Sequence, residues 1–222
     1  MNLRRIFIEC PSCGTPARST ILVSGNTFHS IVWTDSKIVA PRFPQFPEFT
    51  RCYNCQHLYW ISEAQEIYTE IRDLEEYKRL SRTIEEVAEL EETDYFEALA
   101  HKVWGTKDQE KRLRILTLWK VNDKFRKSTK VKEDEMPTII KLPETIRENL
   151  SLLEPLLDIG NQDEILLKVE VFRELQHFGA AKKVLGICFE QYSGQSESWI
   201  KAAKYIQDLV EANDNVVRIL PV

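Results

Sequence analysis

Four of the five cysteines fall into two pairs of identical spacing, Cys10 with Cys13 in "CPSCG" and Cys52 with Cys55 in "CYNC". A CxxC turn sets both sulfurs on one side of a tight loop. Two such loops facing each other offer four thiolates to one ion, in a tetrahedron about 2.3 Å from Zn2+. Pro11 stiffens the first turn, and Gly14 is able to take positive φ where the backbone folds over the sulfur. The pattern predicts one structural Zn2+ held by Cys10, Cys13, Cys52 and Cys55, with His57 a neighbour and not a ligand. Four thiolates close the shell, whereas catalytic zinc keeps a position for water. The chain also contains no HExxH, GxSxG or GxxxxGK[ST] pattern, and His29, His101 and His177 are isolated. The expectation is therefore a metal site and no enzyme.

The alternative chemistry for paired thiols is redox. A thioredoxin-like pair needs its first cysteine at a helix N-terminus, which lowers the thiol pKa. Gly14, Thr15 and Pro16 discourage a helix after the first pair, and a thiol redox switch would leave the second pair unexplained. Cys188, in "VLGICFE", reads as a small core residue. In a reducing compartment, five cysteines with four of them in CxxC pairs read as metal binding or redox chemistry and not as a disulfide framework. No apolar run approaches the roughly 18 residues a membrane span needs, and Arg4-Arg5 is followed only by Ile6-Phe7-Ile8, far short of a signal-peptide core. A cytoplasmic protein without membrane contact is expected.

The elements that must position the cysteines are legible in the surrounding texture. "RRIFIE", "ARSTILVS", "FHSIVWT" and "SKIVA" are short runs dense in β-branched and aromatic residues, broken by Gly, Asn, Asp and Ser. Residues 1–61 therefore read as a small β-rich domain. Within it, Pro41, Pro44 and Pro47 favour an extended conformation, and Phe43, Phe46 and Phe49 share their period of three. The three rings cover the small β core or form an aromatic docking edge.

From residue 62 to 222 the chain reads as an all-α domain. Residues 62–92 lack Pro and Gly and carry an Ile67, Ile71, Leu74, Tyr77 stripe, which predicts an acidic helix or two, the second starting at Thr83. Asp94 with Glu97 and Thr106 with Gln109 have capping-box spacing, Asn161 with Glu164 opens a further helix, and Pro143 suits a first turn. Residues 128–137 read as a loop.

Charge is segregated along this half: residues 61–100 carry a net −9 and residues 101–132 a net +8, although the whole chain is −5. The near cancellation favours internal pairing of the two blocks. The alternative is phosphate neutralisation by Lys120, Lys124, Arg126 and Lys127, with nucleic acid as partner.

Residues 5–62 resemble a zinc ribbon: strand, CPxCG, β-rich insert, CxxC, strand. Two features depart from that family, an insert of 38 residues from Gly14 to Arg51 and Gln56 where the second knuckle usually has glycine. In "LLKVEVFRELQHFGAAKKVL", Val169, Phe172, Leu175-Gln176, Phe178 and Ala181 occupy the places of a tetratricopeptide signature, with Val169 for the small residue and Gln176 for the glycine. A zinc ribbon joined to degenerate tetratricopeptide-like helices is similar to a set of bacterial proteins of unknown function. The resemblance implies an α+β chain and a helical groove for a protein partner, hence an adaptor or interaction module. It supplies no activity.

Overall fold

The computed structural model describes residues 2–40, 44–67, 74–127, 138–192 and 194–221. The strands are β1 (Asn2–Glu9), β2 (Pro16–Ser24), β3 (Ile31–Val32), β4 (Ile38–Val39), β5 (Phe49–Arg51), β6 (Leu58–Trp60) and β7 (Gln65–Ile67). The helices are α1 (Leu74–Thr83), α2 (Glu92–Ala100), α3 (Lys107–Lys127), α4 (Glu144–Leu153), α5 (Gln162–Glu174), α6 (Phe178–Gln191) and α7 (Glu197–Glu211). N-terminal antiparallel strands followed by helices make this an α+β chain, as the sequence predicts. Two compact units divide it: Met1–Ser30 with Val39–Val103, and Ile31–Ile38 with Trp104–Val222.

In the first unit β1 is the central strand, with β2 antiparallel along one edge and β7 along the other. Its run Ile6-Phe7-Ile8 is buried throughout because successive side chains serve opposite faces. Ile6, Ile8 and Cys10 pack with Ala17, Cys52, Tyr59 and Ile61. Phe7 points the other way, onto Leu80 and Ile84. A second antiparallel pair, β5 with β6, sets Phe49 opposite Trp60 and Arg51 opposite Leu58.

This ladder cuts into the helical stretch expected over 62–92, of which α1 is formed. Gln65–Ile67 is a strand, Ile67 lying opposite Phe7, because the free edge of β1 takes it up. Among the described residues from 64 to 91, Leu74–Thr83 is the helical part. The second helix expected from Thr83 is absent: residues 84–90 are not helical, and Glu86 bridges to Arg18, with Arg18 N donating to Glu85 O at 2.7 Å and Val87 N to Arg18 O at 2.9 Å. The first unit consequently runs past residue 61 to Val103, since β7 pairs along an edge of β1 while Leu80 and Ile84 cover the face that carries Phe7.

Capping follows local sequence closely. Gln109 Oε1 accepts from the backbone of Gly105 and Thr106, and Thr106 Oγ1 accepts from Gln109 N at 3.2 Å. Asn161 caps α5 through Asp163 N at 2.9 Å, and Ser196 caps α7. At α2 the box is shifted: Glu91 is the cap and Asp94 the returning side chain. Pro143 precedes α4 as its cap residue. The second unit is centred on Ile165, Val169, Ala181, Leu185, Cys188, Ala203, Ile206 and Val210. The segment expected as a loop, 128–137, lies outside the described residues.

Candidate metal centre

The two CxxC turns are built identically. In the first, Cys10 N donates to Thr15 O at 2.9 Å and Gly14 N donates to Cys10 O at 2.9 Å. In the second, Cys52 N donates to His57 O at 2.9 Å and Gln56 N donates to Cys52 O at 3.0 Å. Both turns need left-handed backbone at the fifth residue, and Gly14 (φ 69°) and Gln56 (φ 61°) provide it. Gln56 thus keeps the conformation that glycine would adopt, its side chain donating to Tyr53 O at 3.1 Å.

Each turn hangs from a strand pair, β1–β2 for the first and β5–β6 for the second. They meet so that Cys10 Sγ is 3.7 Å from Cys55 Sγ, and Cys13 Sγ is 3.7 Å from Cys52 Sγ. All four sulfurs lie within 4.8 Å of one another. Sulfurs about 2.3 Å from a common centre in a regular tetrahedron stand about 3.8 Å apart. The set therefore has the size and donor chemistry to hold a metal ion.

Burial divides the four. Cys10 and Cys52 are buried in the β core, while Cys13 and Cys55 are exposed. Burial pushes the metal-free Cys10 thiol up to about 12. The Thr15 hydroxyl, 3.0 Å from Cys13 Sγ, is the main cause drawing Cys13 down to about 6. Asn54 Nδ2 holds that hydroxyl at 3.1 Å and reaches Cys13 Sγ at 3.9 Å. Thr15 and Asn54 are supporting residues that the motif alone does not reveal. Beneath them Tyr59 is pushed up to about 12, by burial first and then by the neighbouring thiolates. His57 stacks on Tyr59 with ring centroids 6.4 Å apart and is no member of the sulfur cluster.

The other candidate residues are placed differently from the cysteines. Phe43 lies outside the described residues, Phe46 is half-buried, and Phe49 is 1% exposed with its ring edge-on to Trp60 at 5.1 Å. Phe49 is a core residue and leaves the aromatic docking edge. In the basic stretch Lys124 is exposed, with Nζ 5.5 Å from the Phe125 ring, and Lys120 is partly buried. The side chain of Lys127 is outside the described residues. Arg126 is buried and bound to Asp35, to Asp123 at 2.8 Å and to Trp119 O at 2.7 Å, so it offers nothing to a phosphate. Other cations of α3 find carboxylates within the second unit: Lys111 on Glu164 and Arg114 on Glu110, each at 2.7 Å.

Around Arg126 lies a feature unmarked by any motif. Asp35, Glu170, Arg173, Glu174 and Asp214 are all buried charged residues, drawn from the Ile31–Ile38 segment, α5 and the C-terminal tail. The only sequence trace of it is the i, i+3, i+4 spacing of Glu170, Arg173 and Glu174, which reads equally as a solvated face.

Among the described residues no helix is long and apolar enough to cross a membrane. Comparison of the chain with protein-family models, with curated proteins and with solved structures gives no match.

Proposed function

We propose that this chain is a non-enzymatic interaction module in which a structural Zn2+, bound by Cys10, Cys13, Cys52 and Cys55, organises the β unit. The helical unit then offers a docking surface to a protein partner. The carrying observation is the closed set of four sulfurs at tetrahedral spacing, which leaves no ligand position for water. Zinc is preferred to iron as the occupant of a four-thiolate site whose role is to hold two turns together. Support for docking comes from an open cleft of about 600 Å3 walled by Pro155, Leu157, Phe172, Val184 and Ile187, with Lys183 at its edge. It flanks the α5–α6 hairpin, the stretch that resembles a tetratricopeptide repeat.

The nucleic-acid reading retains Lys124 and Lys120 but loses Arg126, which weakens it. A thiol redox switch would draw on the exposed Cys13 and Cys55.

Metal analysis of protein purified without added metal tests the first half. One zinc per chain, retained under mild peroxide and absent in Cys10→Ser, is the expected result. Stoichiometric iron would replace zinc in the proposal, and zinc lost reversibly to peroxide would promote the redox switch. For the second half, a photo-crosslinker at Lys183 should give a discrete adduct in cells that disappears with Ile187→Asp. An adduct indifferent to that change, or salt-sensitive binding of labelled RNA or DNA by the purified protein, would displace the docking proposal.

A further inference from the structure

The Ile31–Ile38 segment enters the second unit as a turn, Trp33 N donating to Lys37 O at 2.9 Å. Polar contacts seat it alongside the buried Trp33 ring, which lies 5.3 Å from the Arg126 guanidinium. Thr34 Oγ1 donates to Glu170 Oε1 at 2.5 Å and accepts from Arg218 N at 3.0 Å. Asp35 O accepts from Trp119 Nε1 at 2.9 Å, and Asp35 Oδ2 accepts from Arg126 and from Asn122 Nδ2, the latter at 3.0 Å. Lys37 reaches Asp123 at 2.7 Å.

Asn122 spends the same nitrogen twice. Its Nδ2 also donates to Glu174 Oε1 at 2.9 Å, so one amide joins the carboxyl groups of Asp35 and Glu174. Asp35 is 0% and Glu174 2% exposed. The neighbouring cations are committed elsewhere. Arg126 pairs with Asp35 and Asp123, Lys37 with Asp123, Arg218 with Asp214, and Arg173 with Glu170 and Asp214. The remaining Arg173 donors go to Val216 O, Asp214 O and Thr34. Among the described residues, five carboxyl groups (Asp35, Asp123, Glu170, Glu174, Asp214) thus share four cations (Lys37, Arg126, Arg173, Arg218), and Glu174 is the one without an ion pair. A buried carboxyl without an ion pair, set close to a second carboxyl, favours its neutral form, and that describes Glu174.

We propose that Glu174 carries a proton at neutral pH and that this proton latches the Ile31–Ile38 segment into the helical unit. Burial, then the charges of Glu170 and Asp35, hold Glu174 well above the usual carboxylate range, against the smaller opposing effects of Arg173 and Asn122. Deprotonation would set an uncompensated charge beside Asp35 and repel the residue that anchors the turn. The sign follows: the latched state holds the proton and the open state releases it, so rising pH favours opening. Between the two pKa values the opening equilibrium shifts about tenfold per pH unit.

The test uses the full-length, metal-loaded chain. In protein carrying 13C at the Glu side-chain carboxyl, one glutamate signal should sit at the protonated position at neutral pH and vanish in Glu174→Gln. Hydrogen exchange of residues 31–38, taken relative to residues 165–171 of α5 at each pH, should accelerate about tenfold per unit toward alkaline pH. Glu174→Gln, a neutral isostere, should fold and abolish that dependence. Absence of a protonated glutamate in the unmodified protein would overturn the proposal. So would exchange at 31–38 that tracks α5 at every pH, or a Glu174→Gln chain that fails to fold.

Discussion

Gln56 shows how a single residue can keep a fold feature while disguising it. The knuckle demands left-handed backbone there, and a side chain other than glycine pays roughly 1–2 kcal/mol for it. The bond from Gln56 to Tyr53 O offsets part of that cost. Gln56→Gly should therefore leave the metal-loaded protein equally stable or more stable by about 1 kcal/mol. Gln56→Val, β-branched and without that hydrogen bond, should weaken both stability and metal retention. Denaturant midpoints and chelator competition on the two variants would measure this. Equal behaviour of Gly and Val would show that the φ of 61° is not what shapes the turn.

At the scale of elements, the β5–β6 pair decides what the Pro/Phe segment does. Phe49 is sealed against Trp60, whereas Phe46 is half-buried. Phe49→Ala should cost about 3–5 kcal/mol of stability, the range for emptying a large core site. Phe46→Ala should cost much less. Thermal and denaturant unfolding of the two variants checks it, and a stable Phe49→Ala protein would return that ring to a docking role. The strand at Gln65–Ile67 teaches a related lesson. Its composition suits a helix, yet β1 presents backbone groups that only an extended neighbour satisfies, and pairing overrides propensity.

For the whole molecule, the cysteines and their core cluster belong to the first unit, while the helical core is self-contained within the second. Metal binding by a four-thiolate site contributes on the order of 10–16 kcal/mol to the structure it organises. Stripping the metal with a strong chelator should therefore expose amides of residues 6–17 and 49–61 to exchange. Residues 165–171 and 31–38 should stay protected together. Loss of protection in α5 alongside the cysteine turns would show that the two units unfold as one.

What the residues determine unaided is local. The four ligands are legible because CxxC geometry is contained within a few residues, and the caps at Thr106 and Asn161 because each bonds to its own first turn. The strands of the first hairpin are legible in the same way. Tertiary structure alone decided which charges are buried. Asp35 meets Asn122 and Arg126, and Thr34 meets Glu170 and Arg218, across separations of 87 to 184 positions. A charged side chain is tolerated in a core only when such partners arrive. Nothing in the residue itself announces them, so Arg126, which the sequence offers to the acidic 61–100 block or to a phosphate, pairs in the fold with Asp35 and Asp123.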